Sequence, residues 1–304
     1  MGKFINPFTD WGFKRIFGQK ISKELLIDFL NSLFEGEFVI KDINFKDKEM
    51  LGMTKDSRGA VFDVYCTTDD GKDIIVEMQN SGQTYFVDRS IYYTSRAIVN
   101  QAERGPWNYK LSPVYTVCFM NFIDRSAGIV KFRTDVCVCD LVTGAPISKN
   151  IRIVYLSLPL FARNEADECK TDFERWIYIL KNMSTFERMP FMAKNAVFKK
   201  LAEISDVRAL SKSEMEKYDA DLKNLRDAYA TYEYAENKGM AKGMAQGMKQ
   251  GMAKGMKQGL EKGKAEANEG TVFNLTKLGM TVDFIMKATG LTEDDIKRIQ
   301  QKFS

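Results

Sequence analysis

The stretch GAVFDVYCTTDDGKDIIVEMQN, residues 59–80, constrains the fold more than any other part of the chain. Two runs rich in β-branched and aromatic residues flank a short polar turn, which is the pattern of a β-hairpin with Gly71 free to take positive φ. A three-residue loop of Asp69, Asp70 and Gly71 sets Asp63 directly opposite Glu77; a two-residue loop shifts the pairing by one position. Alternation puts Ile74, Val76 and Met78 on one face and Ile75, Glu77 and Gln79 on the other, and it groups Val61, Asp63 and Tyr65. The two acids can therefore point to the same side of the hairpin. Opposed carboxylates at close range repel. A divalent cation resolves the conflict, because Mg²⁺ is commonly held by one or two carboxylates and keeps waters and substrate phosphate in its other positions. The same alternation also describes a half-exposed sheet whose acids simply face water.

The neighbouring segments read as an α/β domain. TDWGFKRIFG is a short helix capped by Thr9 or Asp10 and stopped by Gly18. SKELLIDFLNSLFEG is a second helix with Ser22 as its cap, Gly36 as its end and Leu25, Leu26, Phe29, Leu30 and Leu33 on one apolar face. FVIKDINF is a first strand. After the hairpin, QTYFVDRSIYYTSRAIVNQ is an amphipathic helix with Phe86, Ile91, Tyr92, Ala97 and Ile98 at helical spacing. PVYTVCFMNF, VCVCDLV and IRIVYLSLPLF are further strands, the first and third apolar enough to be central. From Asp167 to about Tyr234 the pattern is helical, with Trp176, Ile177, Ile179 and Leu180 in the core.

The chain contains no histidine. Ser-His-Asp and Cys-His catalysis and any His-ligated metal are excluded, which leaves carboxylates, Lys, Tyr, Ser, Thr or a hard metal bound through oxygen. The five cysteines are odd in number, lie among apolar residues and lack zinc-site spacing, so they read as buried reduced thiols of a cytoplasmic protein. No apolar run approaches a membrane span, and the N-terminus lacks a secretory leader's apolar core.

Residues 236–264 repeat with period four: Gly recurs from Gly239 to Gly263, and Met or Leu follows each Gly through Leu260. The segment holds seven Lys and two Glu, so it carries more than the whole net charge of +4 and leaves the remainder near neutral. A four-residue step advances about 400° on a helix, so the stripe drifts slowly around it and favours right-handed winding against a partner. Each Gly costs about 1 kcal/mol against Ala, so either another backbone approaches the Gly row or the helix frays. The last segment, TVFNLTKLGMTVDFIMKATGLTEDDIKRIQQKF, reads as short helices with a capping box variant of Thr292 and Asp295. Its final helix opens on Glu293, Asp294 and Asp295, which suits a small packing unit rather than a DNA reader.

A leading helix with an acid, then FDVYC, then IIVEMQ, then a helix containing YFVDRSIYYTSR, resembles the PD-(D/E)XK nuclease superfamily. The opening NPFTDWGFKRIFG and the turn from EMQN into YFVDRSIYY resemble its Rpn-type recombination-promoting nuclease and transposase family. The resemblance covers about residues 4–165, and the glycine-rich tail more loosely. It implies an α/β restriction-endonuclease-like core, a central mixed β-sheet flanked by helices, followed by an all-helical C-terminal region. The expected division is a nuclease core over 1–165, a helical extension over 166–235, the Gly/Met helix over 236–268 and a helical unit over 269–304.

By position, Asp63 and Glu77 are the implied metal ligands, with Asp10 as a third ligand or supporter. Gln79 stands where the wider superfamily has Lys; it can position the attacking water but supplies no charge. Lys14, Arg58, Gln83, Arg89 and Tyr93 are the candidates for contacting DNA. The implied activity is Mg²⁺-dependent endonucleolytic hydrolysis of DNA, with Mn²⁺ or Ca²⁺ as alternative ions and little sequence preference. Two other readings share these residues: a nuclease fold that binds nucleic acid without cutting, and a homo-oligomeric scaffold organised by the 236–268 helix.

Overall fold

The structure, a computed structural model, describes residues 2–50, 59–102 and 105–303. Contacts divide the chain into two units, Met1–Tyr232 and Glu233–Ser304. The first unit opens with helices α1 (Asp10–Phe17) and α2 (Lys23–Leu33) and strands β1 (Ile43–Phe45) and β2 (Glu49–Met50). The hairpin region supplies β3 (Ala60–Val61), β4 (Val64–Thr68) and β5 (Asp73–Gln79), followed by α3 (Phe86–Val99). Strands β6 (Val114–Met120), β7 (Arg133–Cys139) and β8 (Pro146–Ser157) precede helices α4 (Asp172–Asn182) and α5 (Ala196–Ser205), and α6 (Lys212–Lys277) begins in this unit.

Six strands form one mixed sheet in the order β1-β4-β5-β6-β8-β7, while β2 and β3 pair separately. The β5-β6 and β6-β8 pairs are parallel, and the other pairs of the large sheet are antiparallel. The hairpin takes the three-residue loop. Tyr65 pairs with Ile75 and Thr67 with Asp73, the Thr68 N–H donates to the Lys72 carbonyl at 2.9 Å, and Gly71 has φ +86°. This loop suits the right-handed twist of the flanking strands, which fixes the register.

Alternation along β5 divides the core. Ile74, Val76, Val117, Phe119, Val154 and Leu156 belong to the large cluster with residues of α1, α2, α4 and α5, centred on Trp176 and Phe29. Ile75 and Tyr65 belong to a smaller cluster with Phe62 and Ala97 of α3. As expected, β6 is buried throughout and α4 buries Trp176, Ile177, Ile179 and Leu180.

Three expectations need correction. Ile91 and Tyr92 are 48% and 38% exposed, because the inward row of α3 runs through Phe86, Ser90, Thr94 and Ala97. Its polar members are satisfied inside: Ser90 shares a 2.5 Å hydrogen bond with Tyr155, and Thr94 a 2.7 Å one with Thr116. Ser22 stands at the N-cap position of α2, but its side chain makes no capping bond; its hydroxyl donates back to the Gln19 carbonyl. Cys66, Cys118 and Cys169 are buried, but Cys137 is exposed because β7 is an outer strand of the sheet.

The start of α6 anchors α1. The Trp11 N–H donates to Asp221 at 2.7 Å, the Asn6 N–H to the Tyr218 hydroxyl at 2.8 Å, and Arg15 pairs with Glu214 at 2.5 Å.

The second unit contains the rest of α6, with α7 (Val282–Thr289) and α8 (Glu293–Gln301) folded on its end. Val272, Ile285 and Ile296 form its core, and the Thr292 side chain accepts from the Asp295 N–H as the cap of α8. The Gly/Met stretch is helical. From Gly239 to Gly263 no atom beyond the chain neighbours and the helix's own nearby backbone comes within 4 Å of an added Cβ, and Met240 to Leu260 of the stripe are 61–81% exposed. Among the described helices none is long and apolar enough to cross a membrane.

Candidate active site

The site begins where the hairpin stops being regular. The ladder ends at the Val64–Val76 pair, and Asp63 occupies a bend between β3 and β4. There the two acids interlock. The Met78 N–H donates to Asp63 Oδ2 at 2.8 Å, and the Asp63 N–H donates to Glu77 Oε1 at 3.2 Å. Each carboxylate thus completes the other strand's backbone, which holds both on one side of the hairpin. Glu77 is 4% exposed although it carries an acid.

The electrostatics follow from that burial. Removal from water, then the charge of Asp63, pushes the Glu77 carboxyl well above the usual carboxylate range, with Arg89 opposing. Burial likewise raises Asp63; the Met78 N–H pulls it down and the charge of Asp10 pushes it up. Two hard oxygen groups that resist ionising together are matched to a divalent cation. Asn80 adds an orphaned polar atom to this region. Its amide donates to the Phe8 carbonyl at 2.6 Å, while its buried Oδ1 has no partner among the described residues.

Arg89, on the first turns of α3, organises the rest. Its guanidinium donates to Glu77 Oε2 and Gln79 Oε1, each at 3.3 Å, and to Gln83 Oε1 at 3.1 Å. It also lies over the Tyr93 ring at 5.1 Å, and Tyr93 packs edge-on against Phe62. Sequence-predicted Glu77, Gln79, Gln83, Arg89 and Tyr93 are therefore brought into one contiguous set, with Asp63 bonded to Glu77.

Asp10 and Lys14 are neighbours of this set. They pair with each other at 2.6 Å one helical turn apart, with the Asp10 side chain 58% exposed. Their charges reach Asp63, but among the described residues no three acids, cysteines or histidines converge tightly enough to form a metal cage. Arg58 lies outside the described residues.

Lys48 escaped the sequence reading. Burial and the charge of Lys14 lower its pKa, while Asp10 and Asp63 raise it, so it shares the electrostatic neighbourhood of the acids. It lies just before a two-residue strand with no periodic signal around it, and only the pairing of β2 with β3 brings it there.

A mixed six-stranded sheet flanked by helices is the architecture of a PD-(D/E)XK nuclease core. A family model described as "PD-(D/E)XK nuclease family transposase" matches residues 7–235, and the chain belongs to that family. The match continues past the sheet into α6, the helix whose start holds α1. No curated protein and no solved structure matches the chain.

Proposed function

We propose that the protein is a metal-dependent DNA endonuclease with little sequence preference, acting in the cytoplasm and promoting recombination through the breaks it makes. The observation that carries this reading is the interlocked Asp63–Glu77 pair, two acids held together across the hairpin with Glu77 buried. Asp63 and Glu77 would hold Mg²⁺, with Mn²⁺ or Ca²⁺ as alternatives, and Asp10 supports them through its charge. Such an ion supplies Lewis-acid stabilisation of the phosphoryl oxygens and a nucleophile at neutral pH.

The remaining chemistry belongs to the chain's own residues. Gln79 orients the attacking water through its amide but carries no charge. Arg89 donates to both Gln79 and Glu77, so it supplies from α3 the positive charge that the superfamily's Lys would supply from the strand. Lys14, Arg58, Lys48, Gln83 and Tyr93 contact the DNA backbone, which makes binding indifferent to sequence and steeply dependent on salt.

The chemistry resides in a 1–165 core, with 166–235 as its brace, 236–268 as an association helix and 269–304 as a terminal unit. The exposed Gly/Met row supports self-association through 236–268, because small residues allow close approach and Met adapts to a facing surface.

Plasmid cleavage tests the reading. Wild type should nick supercoiled DNA with Mg²⁺ and not with chelator, while Asp63→Ala and Glu77→Ala lose the activity by at least about a hundred-fold. Equal nicking by all three proteins would sink the assignment.

A further inference from the structure

The nuclease reading leaves unexplained a hollow around the first turn of α3. This cavity, about 540 Å³ in volume, lies among residues 82–88, the loop after β6 over 122–127, and Tyr232. It lies beyond the C-terminal ends of the parallel strands β5 and β6, where open α/β sheets commonly bind ligands.

Tyr85, Phe86, Phe122 and Tyr232 line part of it. The Phe122 ring is fixed edge-on against Phe86 at 5.7 Å, while Tyr85 and Tyr232 are 75% and 47% exposed. Tyr85 is held at φ +67°, a conformation uncommon for any residue but Gly. Among the described residues, the charged ones lining the hollow are Asp88 and Asp124. The Asp124 carboxylate is fixed by the Ser126 hydroxyl at 2.6 Å and the Ala127 N–H at 3.1 Å. Two acids repel phosphate, so the hollow is unsuited to the nucleic-acid backbone. They accept from amino groups, and the rings offer faces for stacking.

A chain of hydrogen bonds links the hollow to the acids. Gln83 lines it and accepts from Arg89, whose other donors reach Gln79 and Glu77. One guanidinium therefore spans the distance from the acid pair to the mouth of the hollow. We propose that the hollow receives an unpaired nucleobase of the substrate strand, adjacent to the phosphate at the acid pair, with adenine and cytosine preferred over thymine. Adenine and cytosine present amino donors that Asp88 and Asp124 accept, whereas thymine presents a carbonyl at the equivalent position. A pocket of this size accommodates one base with room to spare. The inference rests on the nuclease reading and sharpens its substrate to DNA with gaps, flaps or other unpaired positions.

The test uses the full chain and a labelled duplex with a single unpaired nucleotide: adenine, thymine or an abasic residue. Fluorescence anisotropy with Ca²⁺ gives the affinities. Wild type should bind the adenine duplex at least about five-fold tighter than the abasic one, with thymine between them, since stacking supplies an increment of this order. Tyr85→Gly, whose backbone suits glycine, and Tyr232→Ala, at an exposed position, should each reduce the difference to under about two-fold. Equal wild-type affinity for adenine and abasic duplexes overturns the proposal whatever the cleavage result. Base discrimination without metal-dependent plasmid cleavage upholds the pocket and overturns the enzyme reading instead.

Discussion

Glu77 holds its proton up to about pH 8, through burial first and the charge of Asp63 second, and Asp63 is raised as well. Without metal, the folded chain therefore binds more protons than the unfolded chain between the ordinary glutamate value and about pH 8. Stability should fall as pH rises across that window. Asp63→Asn removes one charge and keeps an oxygen to accept from the Met78 N–H. We expect the metal-free variant to exceed wild type in denaturant-unfolding stability by about 1–2 kcal/mol at pH 8, with the gap closing towards pH 5. Mg²⁺ should raise the melting temperature of wild type and leave Asp63→Asn unmoved; a variant less stable than wild type at pH 8 would show that the acids are not in conflict. Arg89 gives a second prediction at this scale. Arg89→Ala should lower kcat/KM by about a hundred-fold, as loss of one preorganised donor does. Adding Gln79→Lys in that background should recover part of the loss, and no recovery would indicate that Arg89 acts on the substrate backbone alone. At the residue scale the acids were legible, because alternation in a hairpin fixes which side chains share a face. The Arg89 contacts and Lys48 were less so, since they depend on where a helix and a loop come to rest.

The hairpin is the element that makes the site. Its three-residue loop sets the register that ends at the Val64–Val76 pair and leaves Asp63 and Glu77 just beyond it, and a slip of one residue would send Glu77 to the opposite face. Gly71 holds that loop at φ +86° with open space around it, so an added methyl meets no neighbour and acts only through the backbone. Gly71→Ala should therefore cost about 1–2 kcal/mol in chemical denaturation. It should reduce cleavage only as far as the register loosens, and a stability change near zero would mean that the loop tolerates another conformation. Sequence periodicity identified this hairpin and the central strand β6 because their apolar residues follow the period of the backbone. It misassigned the inner face of α3 because Ser90 and Thr94 look like surface residues. Only the opposing hydroxyls of Tyr155 and Thr116, more than 20 positions away, make them interior ones.

At the scale of the molecule, the two units answer to different rules. Met1–Tyr232 buries the central strand β6 of its sheet on both faces and uses the start of α6 to hold α1, whereas Glu233–Ser304 leaves the Gly/Met row exposed. The seven glycines of the row are unfavourable in an isolated helix, by about 1 kcal/mol each, so an association that covers them would offset that cost. We expect light scattering to give the full chain a mass above that of one copy and a chain ending at Tyr232 the mass of a monomer. Retained assembly in the shorter form would remove the tail from that role. The sequence by itself determined the local choices: the hairpin, its two acids, the apolar strands and the period-four helix, because these depend on contacts and periodicities within a few residues. Only the tertiary structure decided that the acids would be buried, that Arg89 would bridge them to Gln79 and Gln83, and that α6 would brace α1. Those outcomes depend on packing between segments far apart in the chain, and no local pattern encodes the free energy of such contacts.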